Sequence, residues 1–366
     1  MHKLVFTVTN DLVYDQRMNR ICTSLCNAGY DVTLIGRTNK NSPPLLDKPY
    51  HQKRFKCYVQ KGKWMYIEYN IKLFFILLFT STDVYGAIDL DSILPNLLAS
   101  IIRRKKRVYD AHELFCEMEE VYTRPGIYKM WKTIEKWSVS YFDHGYTIGD
   151  FYALEYQKMY QKNYIVVRNA TVLDESIQLP TKDEITYILY QGAVNEGRSF
   201  DTLIPAMQHV NAKMIICGNG NYFEQTKALV AKYNLQDKIT MTGYIKPQEL
   251  INYTCNAYIG ITIFSDESKS KSNYLSMGNR FFDYMHSAIP QICVNYPEYQ
   301  KVNEEFEISL LVDDLQANTL ANAMNKLLTD KKYYQRLRTN ALACRKKYCW
   351  QEEEKKIIAF YKKLLG

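Results

Sequence analysis

The chain has 366 residues, of which 47% are hydrophobic and 23% charged, so it has ample apolar material for packed cores and enough length for two domains, since single cores stop growing near roughly 250–300 residues. Its longest apolar run, Leu73 to Phe79, is far short of the about 20 residues that span a bilayer. The net charge of +8 lies almost wholly in the first half: residues 1–170 hold 24 Lys and Arg against 17 Asp and Glu, and the remainder is nearly balanced.

The basic excess includes Arg103-Arg104-Lys105-Lys106-Arg107 and Lys53, Arg54, Lys56, Lys61 and Lys63. Such a face suits anionic lipid headgroups, a phosphorylated substrate or nucleic acid, or is simply a solvated surface. No aromatic residues interleave the 103–107 run and no nucleic-acid fingerprint is present, so a nucleic-acid partner is not expected. Nine cysteines without C-x-x-C spacing argue against zinc and redox motifs and read as reduced cytoplasmic thiols. Met1-His2-Lys3 runs straight into an apolar strand, so no signal peptide is expected.

In chain order, Leu4–Val8 reads as a strand, followed by a loop from Thr9 to Tyr14. Met18, Ile21, Cys22 and Leu25 fall at helical spacing, with Gly29 as the stop. Asp31–Ile35 is the next strand. Residues 39–63 form a polar loop region with at most one strand. A helix over 66–79 leads to a strand at 83–87 and the triplet Asp89-Leu90-Asp91. A helix at 93–102 precedes a strand, Arg107–Asp110, that delivers Ala111-His112-Glu113-Leu114. One long helix then passes through Trp131 and Trp137, which read as core or membrane-facing packing. A strand at 145–148, a helix at 151–160 and a strand at 164–167 complete the first series.

A polar connection from Arg168 to about residue 183 marks the boundary between a domain at 1–170 and one at 184–350. Strands follow at 186–190, 213–217, 238–241, 257–261, 291–294 and 308–312. Helices are expected at 199–208, 222–234, 247–253, 316–328, 331–345 and 351–364. This alternation predicts an α/β fold of two doubly wound, Rossmann-like parallel sheets, with ligands beyond the carboxyl ends of the strands and, by default, in the cleft between the domains.

The chemistry-bearing pieces gather in the second series. Gln191-Gly192 with Gly197-Arg198, then Gly218-Asn219-Gly220, then Thr242-Gly243-Tyr244 are three glycine turns at strand ends. Residues 272–294 form the centre of the domain: a loop with Gly278, a short helix from Asn279 through Phe281, Phe282, Asp283, Tyr284 and Met285, then Pro290 and a buried strand. A helix opening before such a strand suits an anion. Neither the dinucleotide fingerprint nor the P-loop is present, so NAD and ATP chemistry lose support.

In these motifs the chain resembles the retaining glycosyltransferases of family 4, of the GT-B architecture, over nearly its whole length. The first-domain pieces Asn10-Asp11, Asp15-Gln16-Arg17 and Asp110-Ala111-His112-Glu113 look like a bacterial branch of that family. The resemblance implies a nucleotide-sugar bound by the second domain, a saccharide or lipid-diphosphate-linked acceptor bound by the first, and a last helix (351–366) lying on the first domain. It implies retention at the anomeric carbon, a role in surface polysaccharide or glycoconjugate synthesis, and a peripheral place on the inner face of the cell membrane. No metal or other cofactor is expected.

By that resemblance Gly192, Arg198, Gly218, Asn219, Gly243, Asn279 and Asp283 bind the nucleotide, with Asp283 on the ribose hydroxyls. The family's other glutamate corresponds to Leu275, so its contact to the donor sugar is lost or made by backbone amides near Tyr274, Leu275, Ser276 and Met277. Lys271 or Lys269 joins Arg198 on the diphosphate. His112 faces the donor sugar or the acceptor, while Asn10, Asp11, Arg17, Asp110 and Glu113 line the acceptor side. Asp110 either orients His112 or caps the following helix, and Asp91 caps the helix that begins near Ser92. Competing readings are a silent nucleotide-sugar binder, motivated by Leu275, and a sugar-nucleotide epimerase of the same fold.

Overall fold

The short apolar runs become two wholly parallel sheets. The computed structural model describes residues 1–40, 42–177, 179–181, 184–264 and 270–366. The chain divides into two compact units, Met1–Asn169 with Glu352–Gly366, and Ala170–Gln351.

The first unit holds β1 (Lys3–Thr7), β2 (Asp31–Thr38), β3 (His51–Lys56), β4 (Val84–Ile88), β5 (Lys106–Ala111), β6 (Gly145–Thr147) and β7 (Ile165–Val166), in the spatial order β3-β2-β1-β4-β5-β6-β7. Its helices are α1 (Gln16–Asn27), α2 (Lys63–Leu78), α3 (Ile93–Ile102), α4 (Glu119–Tyr122), α5 (Pro125–Val139) and α6 (Asp150–Tyr160). Asp15 opens α1 by accepting a hydrogen bond from the Met18 N–H. Met65, Tyr69, Leu73 and Leu77 give α2 a four-residue repeat that packs on Val5, Ile35 and Tyr85 of the sheet.

The second unit holds β8 (Ile188–Gln191), β9 (Met214–Cys217), β10 (Ile239–Gly243), β11 (Ile259–Thr262), β12 (Gln291–Val294) and β13 (Ser309–Val312), in the order β10-β9-β8-β11-β12-β13. Around this sheet run α7 (Phe200–Ala206), α8 (Phe223–Lys232), α9 (Pro247–Asn256), α10 (Lys271–Tyr274), α11 (Asn279–His286), α12 (Pro297–Phe306), α13 (Ala317–Thr329) and α14 (Lys331–Lys347). The last helix, α15 (Trp350–Leu365), belongs to the first unit from Glu352 onward. There Tyr361 is fully buried, its ring edge-on to Phe6 and Tyr146.

Two elements depart from the sequence reading. The single long helix through Trp131 and Trp137 is broken into α4 and α5. Pro125 takes the first helical position of α5 and holds Arg124 in extended backbone. The one strand allowed for in the polar region 39–63 is β3, whose pairing with β2 runs from Thr33↔His51 to Thr38↔Lys56. Helix α12 was not anticipated; its apolar face is little more than Tyr299 and Val302, both buried.

Strand order reverses between β1 and β4 in one sheet and between β8 and β11 in the other. Pockets open outside the carboxyl ends of strands at such reversals. Loops leaving β1, β4 and β5, and loops leaving β8, β9 and β10, therefore hold the functional candidates of each unit.

Candidate functional site

In the second unit, the three glycine turns are stitched to one another. The Gly192 N–H donates to the Cys217 carbonyl at 2.9 Å, and the Gly218 N–H to the Gly243 carbonyl at 2.8 Å. Gly218 has φ +152°, and a Cβ on it would stand 1.8 Å from the Gly192 carbonyl oxygen. Only glycine lets the two strand ends approach this closely. Asn219 Oδ1 accepts from the Gly220 N–H at 2.7 Å, and the Asn219 carbonyl accepts from Val194 at 3.1 Å. The Asn219 side-chain oxygen thus braces its own turn.

Asp283 sits half-buried on α11. Its two oxygens accept from Thr171 Oγ1 at 2.6 Å and from Gln191 Nε2 at 2.9 Å. Gln191 in turn accepts at Oε1 from Thr254 Oγ1 at 2.7 Å. Its backbone N–H donates to the Tyr284 hydroxyl at 3.1 Å, and that hydroxyl donates to the Leu189 carbonyl at 2.9 Å. The carboxylate is therefore fixed in place at the end of β8. Thr171, Gln191 and Thr254 were missed as supports; nothing in their spacing along the chain reveals them.

Beside this carboxylate stands a cationic feature that the sequence reading passed over. Arg280, on the first turn of α11, is 8% exposed. Its guanidinium carbon lies 4.3 Å from the centre of the Tyr190 ring and 5.2 Å from that of Phe264. Arg198 lies over the same Phe264 ring at 4.4 Å. A Cβ on Gly192 would stand 3.5 Å from Arg280 Nη2, so the guanidinium lies directly against the bare backbone of the β8 turn. Arg280 Nη1 is buried and has no hydrogen-bond partner among the described residues. Two guanidiniums meeting on one ring repel each other, and an anion between them relieves that cost. The signal in the sequence was an arginine immediately before the apolar pair Phe281-Phe282.

The segment before α11 places its groups differently from expectation. The backbone N–H groups of Tyr274, Leu275 and Ser276 donate to Ser270, Lys271 and Asn273 carbonyls, so these three amides are engaged within their own turn. Leu275 is buried, and Met277 is part of a core cluster with Phe281 and Phe282. Tyr274 packs edge-on against Tyr296, and Ser276 Oγ donates to the Asn273 carbonyl at 3.2 Å. Lys271 and Asn279 are exposed. Gly278 N–H donates to the Tyr299 hydroxyl at 2.9 Å. Lys269 lies outside the described residues.

In the first unit the loops leaving β1, β4 and β5 carry a dense charge cluster. Asp110, fully buried, accepts from Arg17 Nε at 3.2 Å and Nη2 at 3.0 Å and lies 2.9 Å from His112 Nε2. His112 Nδ1 faces Asp89 Oδ2 at 3.6 Å. Asp89 Oδ1 accepts the His112 N–H at 2.8 Å and the Glu113 N–H at 3.2 Å, clamping the exit of β5. Asp89 does so at φ +57°, a strained setting for a residue with a side chain. Asp91 accepts from Thr9 Oγ1 at 2.5 Å, so it holds the β1 loop and does not cap α3.

These contacts set the protonation states. Burial disfavours the imidazolium of His112, but the Asp110 and Asp89 charges outweigh it and raise its pKa to about 9. Burial pushes Asp89 to about 7, with His112 opposing, and Asp91 to about 6, with the Thr9 bond opposing. Asp110 is also buried, yet Arg17 and His112 hold it below the usual carboxylate range. At neutral pH His112 is a cation braced on both ring nitrogens.

Three residues assigned to the acceptor are internal: the fully buried Asp110, Arg17 and Asp11. Arg17 is 3% exposed, and its Nη1 donates to the Val167 carbonyl at 2.7 Å, so all three of its nitrogens are engaged inside the unit. Asp11 is buried and pairs with Arg54 Nη1 at 3.1 and 3.2 Å. Asn10 is exposed, and its carbonyl accepts from Arg37. Glu113 is half-buried, with the Tyr152 hydroxyl 3.4 Å from Oε2. Next to the cluster, beside Leu90, lies an apolar groove of about 410 Å³ walled by Tyr66, Phe115 and Trp131. Among the described residues no group of three or more His, Cys, Asp or Glu side chains is arranged to hold a metal ion.

Comparison with known proteins agrees with this architecture. Residues 173–343 match the family model for glycosyl transferases group 1. Over all of this chain and 99% of the other, the structure resembles sucrose-phosphate synthase from Thermosynechococcus elongatus, with 17% identity and a TM-score of 0.81. A glycosyltransferase from Rickettsia africae aligns over 100% and 98% of the two chains, at 14% identity and a TM-score of 0.73. HepE of Anabaena, solved with UDP-glucose, aligns over 99% and 100%, at 11% identity and a TM-score of 0.72. No curated protein sequence matches the chain. The fold is GT-B.

Proposed function

We propose that the chain transfers a glycosyl group from a nucleoside diphosphate sugar to a hydroxyl of a saccharide or lipid-linked acceptor, with retention at the anomeric carbon. The observation that carries this reading is Asp283, fixed between Thr171 and Gln191 beside the buried Arg280 and Arg198. A carboxylate for vicinal hydroxyls and two guanidiniums for a diphosphate, set at strand ends of a parallel sheet, suit a nucleoside diphosphate. The UDP-glucose in the Anabaena neighbour makes uridine diphosphate sugars the first donors to try.

In this reading the bond between the anomeric carbon and the diphosphate oxygen breaks, and the oxygen leaves with the electron pair. Arg198 and Arg280 meet the charge that develops there. The acceptor oxygen bonds to the anomeric carbon on the same face, and its proton passes to the departing phosphate oxygen. The cationic His112 of the first unit supplies positive charge on the acceptor side and does not act as a base, since its proton is held up to about pH 9 and both ring nitrogens face carboxylates. Nine free thiols suit a reducing, cytoplasmic setting. Synthesis of a surface polysaccharide or glycoconjugate is the pathway class that such an acceptor implies.

The test is a panel of nucleotide-sugars with and without candidate acceptors, reading nucleotide release and the anomeric configuration of the product by NMR. Acceptor-dependent release with the donor's configuration supports the reading. An inverted product removes retention. A new sugar-nucleotide formed without acceptor identifies an epimerase. Binding without turnover identifies a silent binder.

A further inference from the structure

The triplet Asp89-Leu90-Asp91 stands outside the proposed chemistry, yet its first residue is held in strain. Asp89 follows β4 directly and has φ +57° and ψ 172°, a region occupied almost only by glycine. Gln161 and Ser199 also have positive φ, but with ψ of 34° and 31° they take the ordinary left-handed turn. The backbone is fixed on both sides of Asp89. Its N–H donates to the Asp110 carbonyl at 2.9 Å, and Leu90 after it is buried. Glycine would sit there without strain, so what the position gains from aspartate is the carboxylate.

That carboxylate does two separable things. Oδ1 accepts the His112 N–H at 2.8 Å and the Glu113 N–H at 3.2 Å, which any side-chain carbonyl oxygen at that place would also do. Oδ2 lies 3.6 Å from His112 Nδ1, a contact whose attraction needs the negative charge. The other carboxylate on the ring, Asp110, is fully buried and already bonded to Arg17. The Asp89 side chain is 21% exposed, so it meets the ring from the more open side. Burial works against the imidazolium, Asp110 and Asp89 favour it, and Arg17 opposes it. For Asp89, burial works against the charge, His112 favours it, and Asp91, Glu113 and Asp110 oppose it.

We propose that Asp89 is a positioning residue for the acceptor side: it locks the His112 ring and the chain at His112-Glu113, so that the imidazolium charge and the Glu113 carboxylate keep fixed places beside the acceptor. The activity part of this rests on the proposed transfer reaction; the lock itself does not. Asp89→Asn separates the two contacts, since its amide oxygen still accepts the N–H groups while the charge is gone. The His112 ring is followed by NMR on protein carrying labelled histidine, its signals assigned by their loss in His112→Asn. In wild type both ring nitrogens should stay protonated at neutral pH. In Asp89→Asn the midpoint of the titration should fall by about one pH unit or more. With the donor and acceptor that the nucleotide-sugar panel turns over, Asp89→Asn should raise the acceptor KM about tenfold and leave the donor KM unchanged. The double variant with His112→Asn should do no worse than His112→Asn alone, because Asp89 acts through the ring.

Circular dichroism checks that the variants fold. Should Asp89→Asn unfold, wild type decides: the His112 Nδ1–H should be protected from exchange with water, with the exposed His51 ring as reference, and an unprotected Nδ1–H would overturn the lock. An unmoved midpoint in folded Asp89→Asn would overturn it as well. A donor KM that rises with the acceptor KM, or losses that add in the double variant, would overturn the positioning role and leave Asp89 as a residue of the fold. Should no donor be turned over, the transfer reading fails, while the ring titration still decides whether Asp89 holds His112.

Discussion

His112 Nε2 lies 2.9 Å from Oδ2 of Asp110, a carboxylate that is already doubly bonded to Arg17. The imidazole therefore completes a buried cation–anion–cation chain, and the folded state holds its proton more tightly than the unfolded chain does. With an unfolded pKa near 6.5 and a folded value of about 9, its stabilisation is fully present below about pH 6.5 and is lost as pH rises through about 9. Thermal melting of wild type should fall across that window by something on the order of 1–3 kcal/mol in stability. His112→Asn should flatten that part of the curve. A wild-type melting temperature that stays level from pH 6.5 to 9.5 would show that the ring is not held as a cation.

Arg17 should behave as a structural residue. Arg17→Ala leaves Asp110 buried with half of its partners gone, and breaking such a pair costs about 3–5 kcal/mol. Chemical denaturation should show the loss in full. Donor nucleotide binding, read by calorimetry on the folded fraction, should remain. Loss of acceptor affinity with unchanged stability would return Arg17 to the acceptor side.

Arg280 and Asp283 should separate the two ends of the nucleotide. Arg280→Ala is expected to weaken a nucleoside diphosphate by tenfold or more while barely altering affinity for the free nucleoside, since a charge-assisted bond to phosphate contributes about 1.5–3 kcal/mol. Asp283→Ala should weaken both. Isothermal titration with UDP and uridine, and with the other nucleotide pairs, reads this directly. Equal loss for nucleoside and diphosphate in Arg280→Ala would place the guanidinium away from phosphate.

Gly218→Ala should be the most damaging single methyl in the second unit. The added carbon would sit 1.8 Å from the Gly192 carbonyl oxygen, so one strand end must move. A loss of about 3 kcal/mol or more and failure to bind nucleotide are expected together. By contrast Gly243→Ala, where a Cβ meets nothing within 4 Å, should cost about 1 kcal/mol from its positive φ alone. If the two variants melt alike, close approach is not the reason for glycine at 218.

Much of the frame was legible because the period of apolar residues changes with each element. The strand at 291–294, for instance, is bounded where the sequence places it. Three turns with glycine at strand ends were equally legible, and the structure stitches them together. What could not be read is pairing across long stretches of chain. Arg17 and Asp110 are 93 residues apart, and Asp283 and Thr171 are 112 apart; no spacing rule connects them. Arg17 and Asp11, expected on the acceptor side, are buried against partners, because nothing local in a sequence tells whether a charged residue faces solvent or a buried partner. Arg280 was overlooked for the converse reason. Its neighbours in the sequence are two phenylalanines, and nothing there shows that the aromatic rings of Tyr190 and Phe264 accept its guanidinium inside.

Tyr361 packs against Phe6 and Tyr146, which joins β1 and α15 in one hydrophobic core. During synthesis the consequence is an order of assembly. Ala170–Gln351 is contiguous and can close as soon as it leaves the ribosome. The opening 169 residues emerge first, yet their core stays open on the Phe6 side until Glu352–Gly366 follows. Between residue 169 and residue 352 the nascent chain thus carries a parallel sheet with part of one face uncovered, the kind of intermediate on which chaperones act.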